Sequence, residues 1–290
     1  MSKIDFVVPF VFPEDKEWEE DYLNSLAYVG DAKTSVRFRS FGTEELLIKC
    51  VKRFMPWVDT IHIILARESQ AKEWMKPYHI VYHKDFIPQH LLPCFNVCTF
   101  EMFLHKIPNL SEHFIYSNDD FYPIMPLRED DFFRSGLPCQ HCEELEYPII
   151  PSIFHKLVMH GLNMIGADFG KHFSHTWLHC GHSMQPMLKG TLEKVYNKHS
   201  AEINASFTPN RSLRNLNQYI FPFYQHFSGE YVDYIPKRKY LGRGNTIQDI
   251  VDAIHSNDFG IICINDHEEM NDWAERASVV RNEIAKKLRE

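Results

Sequence analysis

The chain has 290 residues, 44% of them hydrophobic and 14% aromatic, which suffices for a substantial core in one large domain or one domain with an inserted lobe. Its formal net charge is -8, and Lys237-Arg238-Lys239 is the only short basic tract, so the basic footprint of a nucleic-acid binder is missing. No apolar run approaches bilayer-spanning length, and Asp5 stands where a signal peptide would have its apolar core. A cytoplasmic location is expected, at the inner face of the membrane if the chain touches lipid at all.

Ile4 to Phe10 reads as a buried strand, followed by a helix opened by Glu14-Asp15-Lys16-Glu17-Trp18 and running to about Ala27. Thr43 reads as the N-cap of a helix that stops before Met55-Pro56-Trp57, with Glu44 and Glu45 in its first turn where the dipole favours them. Ile61 to Ala66 is a second strand, Ser69 to Met75 a short helix, Tyr78 to His83 a third strand and Thr99 to Lys106 a helix. Phe114 to Ser117 is the next buried strand. This alternation predicts an α/β fold, a mostly parallel sheet flanked by helices in the Rossmann-like or GT-A-like manner.

Residues 123–152 read as an irregular insertion or lid. Beyond it the pattern predicts helices over 153–165, 187–202 and 213–227, a strand over 231–235, a helix over 246–256 and a strand over 260–264. A charged helix follows His267, with Trp273, Val280, Ile284 and Leu288 on one side. Such a stripe is expected to pack on its own domain, with peripheral contact to a membrane as the lesser reading. The seven cysteines are odd in number and scattered, which predicts reduced, buried thiols and no disulfide framework.

Two hydrophobic strands end alike, one in Asn118-Asp119-Asp120 and the other in Asn265-Asp266. Ligands of open α/β sheets gather at the carboxyl ends of strands, and hard cations such as Mg²⁺ or Mn²⁺ take oxygen ligands of this kind. Asp5 and Asp15 could add carboxylates to the same edge. Asn and Asp are also ordinary turn and cap residues, and spacing alone leaves that reading open. His182, ahead of the helix at Met187, has the pKa range of a general base. Lys189, Arg211 and Arg214 follow, and arginine suits phosphate oxygens. Metal-holding carboxylates, a histidine and an arginine are the parts that phosphoryl transfer needs, although spacing does not exclude surface charges. Cys139 and Cys142, with His179, Cys180 and His182, satisfy zinc-ligand arithmetic, but the pairs are not spaced as in a standard finger, and buried or incidental thiols are the favoured reading over a structural Zn²⁺.

Four blocks in order, spanning nearly the whole chain, resemble the Stealth proteins, capsular-polysaccharide sugar-phosphate transferases related to the lysosomal-enzyme GlcNAc-1-phosphotransferase. The first is Ile4-Asp5-Phe6-Val7-Val8-Pro9-Phe10-Val11. The second runs from Arg37-Phe38-Arg39 through Pro56-Trp57, Leu92-Pro93-Cys94-Phe95-Asn96, Glu101 and His105 to Leu110 through Asp120. The third holds His182, Gln185-Pro186, Lys189 and Arg211, and the fourth is Ile262-Cys263-Ile264-Asn265-Asp266. The chain departs from the family pattern at Phe10-Val11-Phe12-Pro13, Lys49 and Asn215, which bears on nucleotide or sugar preference more than on reaction type.

The resemblance implies a single catalytic domain over 1–290, with a nucleotide-sugar-binding half over 1–122 and a helical part with the final strand over 153–290. It implies transfer of a hexose 1-phosphate from a nucleotide sugar, such as UDP-HexNAc or UDP-hexose, to a hydroxyl of a glycan or lipid-linked glycan. Asp119, Asp120 and Asp266 would hold the metal, His182 would be the base, and Arg211 with Lys189 would stabilise phosphoryl charge. Asp5, Arg39, Asn96, Glu101, His105, Asn118, Gln185 and Asn265 would contact substrate. A metal-dependent glycosyltransferase and a non-catalytic glycan-assembly module are the competing readings.

Overall fold

The computed structural model describes residues 3–27, 38–266 and 271–290. Arg37 of the second block and His267, the expected start of the last helix, lie outside the described residues. The strands are β1 Ile4–Pro9, β2 Ile61–Leu65, β3 His79–Tyr82, β4 His113–Tyr116, β5 Phe121–Pro123, β6 Phe133–Arg134, β7 Leu137–Gln140, β8 Cys142–Glu146, β9 Thr176–Cys180, β10 Gln185–Leu188, β11 Val232–Asp233, β12 Arg238–Leu241 and β13 Ile261–Ile264. The helices are α1 Lys16–Ala27, α2 Glu44–Phe54, α3 His83–Phe86, α4 Val97–Glu101, α5 Ile153–Ala167, α6 Lys189–Lys198, α7 Ser200–Ser206, α8 Ile220–Ser228, α9 Ile247–His255 and α10 Trp273–Lys287.

The main sheet has the order β10-β4-β1-β2-β3, parallel except for β10, which runs antiparallel to β4 at one edge. Successive side chains of a strand point to opposite faces. Accordingly Phe6, Val8, Ile63, Leu65 and Ile115 enter one core with α2, α9 and α10, while Val7, Ile64, Val81, Phe114 and Tyr116 enter the other with α5, α6 and α8. This is the expected α/β architecture. Val280 and Ile284 of α10 have no exposed surface and belong to the first core, so the stripe packs on its own domain. Among the described residues no helix is long and apolar enough to cross a membrane.

Several elements differ from the pattern reading. Residues 123–152 are not irregular throughout: they contain β6, β7 and β8, with β6 and β7 joined through Ser135 and Gly136 at φ 53° and 79°. Two positive φ values in a two-residue loop match the twist of a tight hairpin, and strands of two to five residues are too short to show a period. The segment Gln185–Leu188 is a strand, and the helix expected from Met187 begins at Lys189, because pairing with β4 overrides local propensity. The helix expected from Leu213 begins only at Ile220. Before it, Asn215 and Asn217 turn their side-chain oxygens to the backbone N–H groups of Ser212 and Tyr219 and hold a turn. The helix expected over 69–75 is two 3₁₀ turns, Glu68–Gln70 and Glu73–Met75.

Not all cysteines are free. Cys142 and Cys180 face each other in the β8–β9 ladder and are joined in a disulfide, which corrects the expectation of reduced thiols and leaves neither as a zinc ligand.

Asp5 lies in the first half of β1, buried to 1% exposure, and accepts from Ser111 N at 2.7 Å while its Oδ2 lies 3.0 Å from His62 Nε2. Burial opposes its charged form, but the bonds from His62 and Ser111 outweigh it and hold the pKa below the ordinary carboxylate value. Asp5→Ala leaves two buried groups without an acceptor, so it should cost about 3 kcal/mol in urea unfolding at neutral pH. A depressed folded pKa contributes stability above about pH 4 that is lost as pH falls through it, so the gap between variant and parent should shrink in acid. A loss below about 1 kcal/mol would contradict this role.

Candidate active site

Where β4 ends, Ser117 N still bonds to Val7 O at 2.9 Å, after which Asn118, Asp119 and Asp120 lead into β5. β5 pairs antiparallel with β13, and Ile264 N donates to Asp120 O at 2.9 Å. That junction sets the two acidic strand ends side by side, as their shared pattern predicted. Asn265 Nδ2 donates to Asp120 Oδ2 at 3.2 Å, and Cys263 Sγ lies 3.3 Å from the same oxygen. The other oxygen, Asp120 Oδ1, is buried with no hydrogen-bond partner.

His182 reaches the same place from another direction. The register of β10 on β4 pairs Gln185 with Tyr116, so the turn ahead of β10 overhangs the carboxyl end of β4. Gln185 is buried and donates to Gly181 O at 3.0 Å, which holds that turn. The His182 ring packs on Phe121 with centroids 4.7 Å apart, and its Nδ1 lies 3.3 Å from Tyr219 Oη. One ligand atom each from Asp120, His182 and Cys263 lies within 4.8 Å of the others.

The charges are set by crowding. Part of the Asp119 side chain is open to solvent, yet the protein around its carboxyl, followed by the negative charges of Asp120 and Glu44, pushes its pKa up to about 7. Burial lowers the His182 pKa, Asp120 partly restores it, and Arg238 lowers it further. Glu101 is buried and its pKa is pushed up to about 7, against bonds from Gln218 N at 3.1 Å and Tyr116 Oη at 3.3 Å and the charge of Arg211. Tyr219 is raised by burial and then by Glu101.

The donor set suits a divalent ion. An unpartnered buried carboxylate oxygen beside a second carboxylate is what a hard cation binds, and Asp120 and Asp119 supply it, with His182 and Cys263 as nearby softer donors. Asp266 is placed differently from the metal role expected for it. Its carboxylate is held two-pronged by Arg39, Nε to Oδ2 at 2.5 Å and Nη2 to Oδ1 at 2.7 Å, with Trp273 beneath the guanidinium at 5.1 Å. This pair ties the segment ahead of α2 to the end of β13, so both residues act as a clasp.

Five further candidates sit elsewhere. Asp5 lies towards the amino ends of the parallel strands. Lys189 follows β10, whose reversed direction carries it to the amino end of β4, where Nζ reaches Leu110 O at 3.4 Å. The length of β4, roughly 13 Å, separates it from Asp119. His105 lies near Lys189, its pKa lowered to about 4 by burial and the charges of Lys106 and Lys189, with its ring 5.0 Å from that of Tyr196. Asn96 caps α4 and spends its amide on Thr208 O, Asn210 O and Asn215 Oδ1, so it holds the loop that carries Arg211. Asp15 accepts from Trp18 N at 2.8 Å at the start of α1. Tyr219, Cys263, Glu44 and Arg238 belong to the site's surroundings and were given no site role from sequence. Cys263 lies in the fourth block, Glu44 in the first turn of its helix and Arg238 in the short basic tract, whereas Tyr219 had no signal.

The family model described as Stealth protein CR2, conserved region 2, matches residues 37–140. A solved galactosyltransferase, LgtC, in complex with donor and acceptor sugar analogs, aligns over 97% of this chain and 95% of its own at 12% identity and a TM-score of 0.45. A capsular polysaccharide phosphotransferase of Streptococcus pneumoniae is 28% identical over 94% of this chain and 93% of its own. Another, from Haemophilus influenzae, is 31% identical over 79% of this chain and 67% of its own. With those matches and the four ordered blocks, the chain belongs to the Stealth family.

Proposed function

We propose that this protein transfers a sugar 1-phosphate from a nucleotide sugar to a hydroxyl of a capsular or other cell-surface glycan and releases a nucleoside monophosphate. The observation that carries this reading is the convergence of Asp119, Asp120 and His182 at one strand end. Relatives over nearly the full length are named capsular polysaccharide phosphotransferases, which supports the same reaction class. A cleft of about 500 Å³ at the carboxyl ends of β2 and β3, lined by Trp18, Arg67, His83 and Lys84 among others, is where we place the nucleotide.

Bound Mg²⁺ or Mn²⁺ would be held by Asp120 and Asp119 and would neutralise charge on the diphosphate. The chain's own residues account for the rest. His182, kept neutral by burial, accepts the proton of the attacking hydroxyl, and Tyr219 fixes the ring through Nδ1. The hydroxyl oxygen bonds to the β-phosphorus, and the bond from that phosphorus to the bridging oxygen breaks. The nucleoside monophosphate leaves with the electron pair. Arg211, on the loop that Asn96 and Asn215 hold, is the second cation we assign to the phosphoryl oxygens; its charge acts on Glu101.

The released nucleotide tests the reaction. Incubation with UDP-, GDP- and CDP-sugars and a glycan acceptor should yield monophosphate, whereas diphosphate would identify a glycosyltransferase. Asp119→Ala should abolish release with the fold intact, and His182→Asn should lower kcat by about 10²–10⁴-fold. Retention of near-parental turnover by Asp119→Ala would remove it from the site.

Ion binding has a separate readout. With Asp119 titrating near 7, its carboxylate is protonated below that pH and ionised above it. Mn²⁺ affinity, measured by electron paramagnetic resonance without substrate, should therefore rise as pH increases through about 7, by up to about tenfold per unit below it. It should be lost in Asp120→Ala. A flat pH profile or unchanged binding by that variant would place the ion elsewhere.

A further inference from the structure

Arg238, the first residue of β12, is half-buried, and among the described residues its guanidinium makes no hydrogen bond or ion pair. Its surroundings make this costly. Burial pulls its pKa down, and the group that supports its charge is the Tyr219 phenol, with no carboxylate in that role. A guanidinium withdrawn from water without an anion is destabilising, because nothing offsets its lost hydration.

The fold nevertheless makes room for it. Gly181, directly before His182, has no side chain, and a Cβ there would lie 2.0 Å from Arg238 Nη2 and 2.8 Å from its Cζ. The guanidinium thus meets the backbone of the turn that presents His182 with its Nη2 end. Tyr240, two residues along and on the same face of β12, also meets the His182 ring, with centroids 6.1 Å apart. Arg238 acts on the charge of both His182 and His179. Arg211, by contrast, is exposed and acts on Glu101.

We propose that Arg238, seated on Gly181 beside His182, is a catalytic residue that binds the phosphate transferred by this enzyme. Its planar fork of N–H donors matches two phosphate oxygens. The anion supplies the partner that the folded chain withholds, and the charge stands next to the base that accepts the acceptor's proton. This rests on the sugar-phosphate transfer reading above and names a residue within that same site.

The test is monophosphate release by the whole protein together with competition by inorganic pyrophosphate. Arg238→Met should lower kcat/KM by about 100-fold, the scale seen when one donor to a developing oxyanion is removed. It should also weaken inhibition by pyrophosphate by about tenfold or more, a readout that loss of packing alone would not move. Arg238→Lys, which keeps the charge and the stem, should recover part of both effects and guards against a Met variant that fails to fold. Gly181→Ala, which drives a methyl into the guanidinium, should imitate Arg238→Met. The exposed neighbour change Lys239→Met should leave both readouts unchanged. If the parent releases monophosphate and Arg238→Met stays within about threefold of it in both readouts, the role of Arg238 is overturned. If the parent itself releases no monophosphate from any donor, the transfer reading falls, and the role of Arg238 falls with it.

Discussion

The active end of this molecule depends on one backbone hydrogen bond, Ile264 N to Asp120 O at 2.9 Å. It joins the β12-β13-β5 sheet to the chain leaving β4, and it brings the carboxyl ends of β4 and β13 together, so that Asp120 meets Asn265, 145 positions later in the sequence. Asn265 and Cys263 then bond to Asp120 as a consequence of register and need no further device. The Arg39–Asp266 clasp secures the same junction from the side of α2, and the neighbouring Thr43 hydroxyl bonds to Tyr122 of β5 at 2.6 Å. α2 therefore does more than cover the sheet: its first residue, Glu44, adds a negative charge to Asp119.

The electrostatics follow from that convergence. Asp119, Asp120 and Glu44 crowd together with no arginine or lysine bonded to Asp119 or Asp120 among the described residues, and the one strong clasp nearby is spent on Asp266. After burial, the negative charges of Asp120 and Glu44 raise the Asp119 pKa, and a cation would relieve that repulsion. On the other flank Arg238 and His182 lie side by side and both are disfavoured as cations by burial. Excess negative charge on one side and, among the described residues, a guanidinium without an ion pair on the other are what the proposed cation and phosphate would each relieve. Neither partner would be stabilised as well alone.

Much of this was legible in the sequence. The parallel strands announced themselves as apolar runs, because both of their faces are buried. The paired Asn-Asp ends could be read for the same reason, since each interrupts such a run. What failed to show was whatever depends on strand direction. His182 and Lys189 are seven residues apart and read as neighbours of one helix, yet β10 lies between them, reversed against β4, and carries them to opposite ends of the sheet. Composition and spacing do not encode that reversal. Asn96 and Gln185 illustrate a second limit: a polar residue in a family block reads as a ligand, and only the hydrogen-bond partners show that its amide is spent on the loop beside it.

Arg238 was hidden for a different reason. In sequence it sits between two lysines, and a run of three cations reads as a solvated surface. The alternation of β12 separates them: Lys237 and Lys239 are exposed, while Arg238 turns inward to Gly181. The cue lay in the combination of that alternation with the only residue type that leaves space for a guanidinium on the opposing turn. Cys180, directly before Gly181, is tied by its disulfide to Cys142, so the backbone against which Arg238 rests is anchored on its amino side by the bridge. On its other side Gln185 bonds to Gly181 O. Two independent ties on so short a turn imply that the distance between His182 and Arg238 is held closely, as a site must be if one residue takes a proton while the other bears the charge of the group being moved.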